Sequence, residues 1–327
     1  MTTYSVLLPF SPVRPEQAVP YAAFVHERDP SRLWQGHLFS VDPQQLYAYL
    51  AGTGLRVPTG TGVSLMPFRH PIDAALQARS LAAITGRPVV AGFGPGAGML
   101  QRNLRGAPYA RPLQATREYA TIVRGLFEGG QVTYAGDYFA VRGELPPMPP
   151  AAVELGLGVL RPGMARLAGE LADTAITWLA HPGYLVEQVL PALRAGAESA
   201  GRPVPRLVAM VPVALAAAGR HPEELVLHSN SVHLQQSHYL DMLRRAGVKV
   251  DPDDVPASAR ALLESGVFCY GEPAEVVDQL GAFAAAGADE VVVCMTGVCS
   301  RYGARAALAD LKSLFQEIAR QQGDPPA

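Results

Sequence analysis

The stretch VVAGFGPGAGML, Val89 to Leu100, carries glycine at alternate positions, Gly92, Gly94, Gly96 and Gly98, directly after an apolar run. Bare backbone at the end of a strand lets a flat ligand or a neighbouring strand approach closely. Two phosphate-binding motifs are excluded. A dinucleotide fingerprint opens a helix at the first strand–helix turn, with an acid about 20 residues further on. Here the run falls in the fourth strand–helix unit and Pro95 interrupts it. A nucleoside-triphosphate loop closes on Gly-Lys-Ser/Thr, and no lysine lies near. Two readings stay open: a strand end kept free for a ligand at Gly94 and Gly96, or tight strand–helix packing.

A second candidate is an anion site. In LRPGMARLAGELAD (160–173), Pro162 stands at the expected first position of a helix. The N–H groups of Gly163 and Met164 would be open at the helix start, where the macrodipole favours negative charge. Arg161 adds a cation. The alternative is an ordinary amphipathic helix with Met164, Leu167 and Leu171 in the core.

Ionisable candidates are few. His37 closes the second strand in LWQGHLF, beside Trp34 and Gln35. His70, in RHP, is expected to cap the helix that follows. His228, His233 and His238 recur every five residues, a step of about 140° on an α-helix. Chelating pairs want a spacing of four on one face, and no cysteine or acid completes a set, so no metal is expected. HYLDMLRRAGV (238–248) reads as a lid helix, with Tyr239 and Met242 facing substrate. Cys269, Cys294 and Cys299 form no CxxC and no disulfide framework; they read as reduced core thiols.

These residues need elements to hold them. Short apolar runs alternate with helical patterns along the chain, at 4–10, 32–36, 57–66, 88–94, 151–158, 174–179, 206–217 and 289–295. Continuous apolar strands, buried on both faces, are what a parallel sheet requires. In the last helix Leu308, Leu311, Leu314, Phe315 and Ile318 share one face. Eight such units predict an α/β fold, a (β/α)8 barrel with insertions; an open doubly wound sheet is the runner-up. One insertion, 129–145, alternates around Gly136-Asp137 and predicts a β-hairpin. The other, 219–267, predicts extra helices. Composition shows no internal break, so one domain spanning 1–327 is expected.

The net charge is -2, from 27 basic and 29 acidic residues, which offers no electrostatic footprint for nucleic acid. No apolar run has the length of a membrane span. The opening MTTYSVLLPF lacks a basic leader region, and a cytoplasmic protein is expected.

GTGVSLMPFRHP (60–71), a small-residue helix, Thr-Gly-Arg and an apolar Gly-x-Gly strand follow one another in order. With GAPYARPLQATREY (106–119) and LRPGMARLAGELAD, this order resembles the bacterial luciferase-like family. The likeness is closest to the branch that uses the deazaflavin coenzyme F420. It runs from about residue 4 to residue 296 and is weakest in 219–267. The resemblance implies a (β/α)8 barrel holding F420, or alternatively FMN, at the strands' C-terminal ends. It implies a non-proline cis peptide between Gly62 and Val63, under the tricyclic ring. It places the coenzyme's phosphate at Arg161, Gly163 and Met164, with Thr177 and Trp178 as further contacts for the same tail. It aims the end of the second strand at the ring's reactive edge, making His37 and Gln35 the catalytic candidates and Trp34 a substrate wall. It also implies a homodimer.

Some family members carry a carboxylate just after the fourth-strand Gly-x-Gly. Here that place is Ala97 and Gly98. The departure argues against a sugar-phosphate or alcohol dehydrogenase, where an acid–base pair handles a hydroxyl proton. The implied activity is a reductase that delivers hydride from reduced F420 to an activated C=C or C=N bond, on a small molecule or on a dehydroamino acid in a peptide. A two-component FMN monooxygenase is the second reading. A non-catalytic flavin-binding relative is the third.

Overall fold

The computed structural model describes residues 2–28, 31–37, 39–147 and 152–323. Among them the chain forms twelve strands: β1 (Thr3–Leu7), β2 (Leu33–Gln35), β3 (Thr59–Thr61), β4 (Ser64–Leu65), β5 (Val89–Gly94), β6 (Gln131–Ala135), β7 (Ala140–Glu144), β8 (Val153–Gly158), β9 (Thr174–Trp178), β10 (Arg206–Leu215), β11 (Cys269–Gly271) and β12 (Glu290–Cys294). The residues fall into two compact units. The first comprises Met1–Ser11, Thr177–Leu190 and Leu207–Ala327, the second Pro12–Ile176 and Pro191–Arg206.

In the second unit the strands pair in chain order and in parallel. Leu33 of β2 faces Thr59 of β3, Thr59 faces Val89 of β5, and Val89 faces Val153 of β8. β8 continues the row onto residues 174–176 of β9. All six residues of β5 are buried, as a strand covered on both faces must be. Gly92 is a glycine for that reason: a Cβ there would run into the Thr61 carbonyl oxygen and the Ile176 side chain. The Thr61 hydroxyl takes up the ladder across this contact. It accepts from the Gly92 N–H at 2.9 Å and donates to the Gly92 carbonyl at 3.1 Å.

In the first unit, β1 pairs in parallel with β12, Thr3 facing Glu290, and β12 with β10. The first strand of the chain therefore neighbours the last. With strands pairing in chain order, this is the signature of the (β/α)8 barrel; a doubly wound sheet reverses its order about the first strand. The expected fold class is the one found. β11 is a strand that periodicity did not announce. It pairs with the far end of β10, Val213 facing Cys269, and three residues are too few to show a period.

Both insertions have the expected form. β6 and β7 make an antiparallel hairpin with alternating exposure. The segment 219–267 holds the helices Pro222–Asn230, Ser237–Arg245 and Val255–Glu264, with a short 3-10 turn at His233–Gln235. The C-terminal helix Ala304–Gln322 buries Leu311, Leu314, Phe315 and Ile318, with Leu308 half-buried. His70 caps the helix Pro71–Thr85, its side chain accepting from the Ile72 N–H. Among the described residues no helix is long and apolar enough to cross a membrane.

Candidate functional site

In the second unit the C-terminal ends of β3 and β5 carry Gly62, Gly94 and Gly96, singled out above. The Gly62–Val63 peptide is cis. β2 holds it on both sides: Gly62 N–H donates to the Gln35 carbonyl at 3.0 Å, and His37 N–H donates to the Val63 carbonyl at 3.2 Å. The Val63 side chain lies against two glycines. Its Cγ2 is 2.9 Å from where a Cβ at Gly94 would sit, and its Cγ1 is 3.2 Å from the same point at Gly158. The bare backbone at Gly94 thus makes room for Val63. Gly96 has φ +73, a conformation that favours glycine. Past it Gly98 has no neighbour nearer than 4.0 Å to an added Cβ and opens the helix Gly98–Arg105 with Ala97 as its cap.

Gln101, which sequence reasoning passed over, holds this turn. Its Nε2 donates to the Pro95 and Gly96 carbonyls at 3.1 and 2.7 Å, and its Oε1 accepts from the Tyr109 N–H at 2.8 Å. The available signal was one amide side chain on the first turns of a glycine-led helix, on an otherwise exposed segment.

His37 is half-buried. Its ring stacks on Phe68 at 4.2 Å and meets Phe39 edge-on at 5.5 Å. Burial pushes its pKa below the usual histidine value; Arg69 pushes the same way and Asp42 opposes. The imidazole is therefore neutral at pH 7, and its Nδ1 is buried with no hydrogen bond among the described residues. Gln35 is buried in the strand. Trp34 lies in the core rather than on a substrate wall. It is 0% exposed, and its indole fills the space beside Gly60, where any Cβ would collide with it.

At the helix Pro162–Leu171, Arg161 is the extended cap residue and Pro162 takes the first position. Arg161 and Gly163 are exposed and Met164 is half-buried. Met164 N–H turns back onto the Arg161 carbonyl at 3.0 Å.

The remaining candidates belong to the first unit. Thr177 is buried, and its hydroxyl donates to the Val208 carbonyl at 3.3 Å. Met242 is a core residue with 0% exposure, not a pocket wall. Trp178, at the end of β9, lies 5.5 Å from the ring of His233, which meets Tyr239 edge-on at 4.9 Å. Burial, aided by His238, brings His233 down to about 4, and burial pushes the Tyr239 phenol up to about 12. His228 turns elsewhere, to Ser300 at 3.2 Å. Among the described residues no three His, Cys, Asp or Glu side chains are grouped to hold a metal ion.

A (β/α)8 barrel whose glycine-rich strand ends surround a cis Gly62–Val63 peptide defines the class. Residues 24–290 match the model of the luciferase-like monooxygenase family, and the chain belongs to that family. It is 26% identical over 271 residues to a 5,10-methylenetetrahydromethanopterin reductase of Archaeoglobus fulgidus, covering 76% of this chain and 81% of that one. It is 33% identical over 152 residues to an F420-dependent glucose-6-phosphate dehydrogenase of Microbacterium testaceum, 45% of each chain. Among solved structures, the oxygenating constituent of 3,6-diketocamphane monooxygenase from Pseudomonas putida, in complex with FMN, superposes with a TM-score of 0.74 at 18% identity over 98% of both chains.

Proposed function

We propose that the protein is an F420-dependent oxidoreductase working as a reductase on an activated C=C or C=N bond, in a small molecule or in a dehydroamino acid of a peptide. One observation carries the choice of reaction. The place where an acid would stand, at the head of the helix Gly98–Arg105, holds the methyl group of Ala97 and then exposed Gly98. Oxidising a hydroxyl asks for a base at that point. Reducing an electrophilic double bond does not, because solvent or a tyrosine can protonate the second carbon. Family membership and the F420 dependence named for one aligned relative support the choice of coenzyme.

The residues of the second unit fit a flat tricyclic ring. Gly96 and Gly98 present backbone without side chains, Gly62 carries the cis peptide, and Val63 is fixed between Gly94 and Gly158. Gly62, Val63 and Gly96 would hold the ring, with Gly94 seating Val63; Arg161 and Gly163 would receive its anionic tail, beside Met164, whose N–H is taken up by the Arg161 carbonyl. When bound and reduced, F420 supplies the hydride. His37, neutral and with its Nδ1 unmatched, and Gln35 are the side chains assigned to orient the reacting partner. The same reading has the protein act in the cytoplasm as a homodimer on a small-molecule or peptide substrate, independently of membranes and nucleic acids.

The test is a fluorescence titration with F420 and with FMN, followed by mixing the F420H2 complex with N-acetyldehydroalanine amide. Micromolar F420 binding and oxidation of F420H2 are expected. FMN binding with none of F420 overturns the reading in favour of a two-component monooxygenase. Coenzyme binding without turnover of any acceptor leaves a non-catalytic relative.

A further inference from the structure

In the first unit, the buried side-chain atoms that make no hydrogen bond among the described residues belong to four residues. They are Trp178 Nε1, Ser229 Oγ, both amide atoms of Asn230, and His233 Nδ1. Unmatched buried polar atoms are costly, and a folded protein keeps them where something outside its own chain completes them. Here they are gathered on one short segment and the strand end beside it.

Asn230 is the sharpest case. It is 0% exposed, and neither its carbonyl nor its NH2 is matched. It closes the helix Pro222–Asn230, and helical dihedrals continue through Ser231 and Val232 into the turn at His233. Asn230 and His233 are thus three residues apart on one helical path, the spacing that puts two side chains on the same side. His233 faces the Trp178 ring at 5.5 Å and the Tyr239 ring at 4.9 Å. Directly after Trp178, Leu179 holds φ +57. Leucine rarely adopts that left-handed conformation, and such positions gather at functional sites.

The atom types select the ligand. Trp178 only donates; the Asn230 amide both donates and accepts; a neutral imidazole offers one donor and one acceptor. A carboxylate or ester carbonyl would satisfy the donors and leave the Asn230 carbonyl unmatched. An ammonium would do the reverse. An amide has both kinds of group in one plane, a shape suited to a cluster of rings. We propose that Trp178, Asn230 and His233, with Tyr239 as the apolar wall, form a subsite for an amide group of the protein's substrate, either a primary carboxamide or the N–H and C=O of a peptide residue. That the amide belongs to the reaction's substrate rests on the reductase reading; the subsite does not.

Isothermal titration of the full-length protein with cinnamamide, methyl cinnamate and cinnamic acid, which share one activated C=C skeleton and carry no other amide, tests it. The amide is expected to bind about tenfold more tightly than either analogue, the effect of one well-placed hydrogen bond. Asn230→Leu or His233→Phe should abolish the preference while F420 affinity stays within about twofold. The ligand series on the unaltered protein needs no variant, so a misfolded Asn230→Leu does not blunt the test. Equal affinities, or no amide binding at millimolar concentration, overturn the subsite and leave these atoms to ordered water. Amide preference without F420 binding overturns the reductase reading and keeps the subsite.

Discussion

Val63 occupies the space that a side chain at Gly94 would need, its Cγ2 lying 2.9 Å from the position of the missing Cβ. Gly94→Ala therefore overpacks this contact and is expected to cost about 1–3 kcal/mol. Because the clash is with one methyl group, Val63→Ala in the same chain should recover most of the loss. Urea denaturation of the two single variants and the double variant measures the coupling; additive losses would show that the contact does not constrain the strand ends.

Gly92 differs from Gly94 in what it meets. Its added Cβ would strike the Thr61 backbone as well as Ile176, and a backbone has no rotamer to change. Gly92→Ala is expected to cost about 3 kcal/mol or more, and no side-chain truncation at Ile176 should rescue it fully. Comparison of the thermal midpoints of Gly92→Ala and Gly94→Ala checks the order.

Glu118 grips the hairpin. Its carboxylate accepts from the N–H groups of Asp137, Tyr138 and Phe139 at 2.9, 2.8 and 3.0 Å. Burial pushes its pKa up, but the bonds from Tyr138, Gln114, Asp137 and Phe139 together outweigh this and leave it below the ordinary 4.5. A depressed carboxylate contributes stability above its unfolded pKa and loses it as pH falls through the folded one. The protection factors of the amides of residues 137–139, relative to their intrinsic exchange rates, should fall as the pH is lowered below the ordinary 4.5 and through the depressed folded value. Glu118→Gln should show fast exchange already at pH 7, with the remaining amides little changed.

His233 becomes charged on protonation where Glu118 becomes neutral. Its folded pKa of about 4 lies below the ordinary 6.5, so the unfolded chain binds the extra proton between those values. Stability due to this group is complete above 6.5 and falls as the pH is lowered toward 4, by up to about 3 kcal/mol. His233→Phe should flatten that part of the pH profile in urea melts taken between pH 7 and pH 4.5. An unchanged slope would place the titration elsewhere.

The three cysteines should be inert in the native state. Burial pushes the thiols of Cys269 and Cys299 up to about 12 and about 11, and that of Cys294 well above its usual value. At pH 8 a disulfide reagent is expected to modify none of them within minutes in native protein, and all three once the chain is unfolded.

The sequence by itself determined the strand–helix rhythm, the hairpin at 129–145, the helical character of 219–267 and the buried face of the last helix. Each is a local pattern: burial repeats every two or every three to four residues, and the repeat is written in neighbouring positions. The cis peptide at Gly62–Val63 was implied by the family resemblance that its motifs carry, and the structure contains it. Which atoms meet at the glycines was decided only in three dimensions. Gly60 accommodates Trp34, Gly94 accommodates Val63 and Gly92 accommodates Thr61; a glycine in a sequence announces room without saying what fills it. The same limit put Trp34 and Met242 at a pocket in the sequence reading and in the core in the structure. Gln101 and Glu118 are ordinary polar helix residues until the chain brings carbonyls and N–H groups to them. The cluster at Trp178, Asn230 and His233 exists because residues 178 and 233, far apart along the chain, are packed side by side, and unmatched polarity is a property of that packing rather than of any one residue.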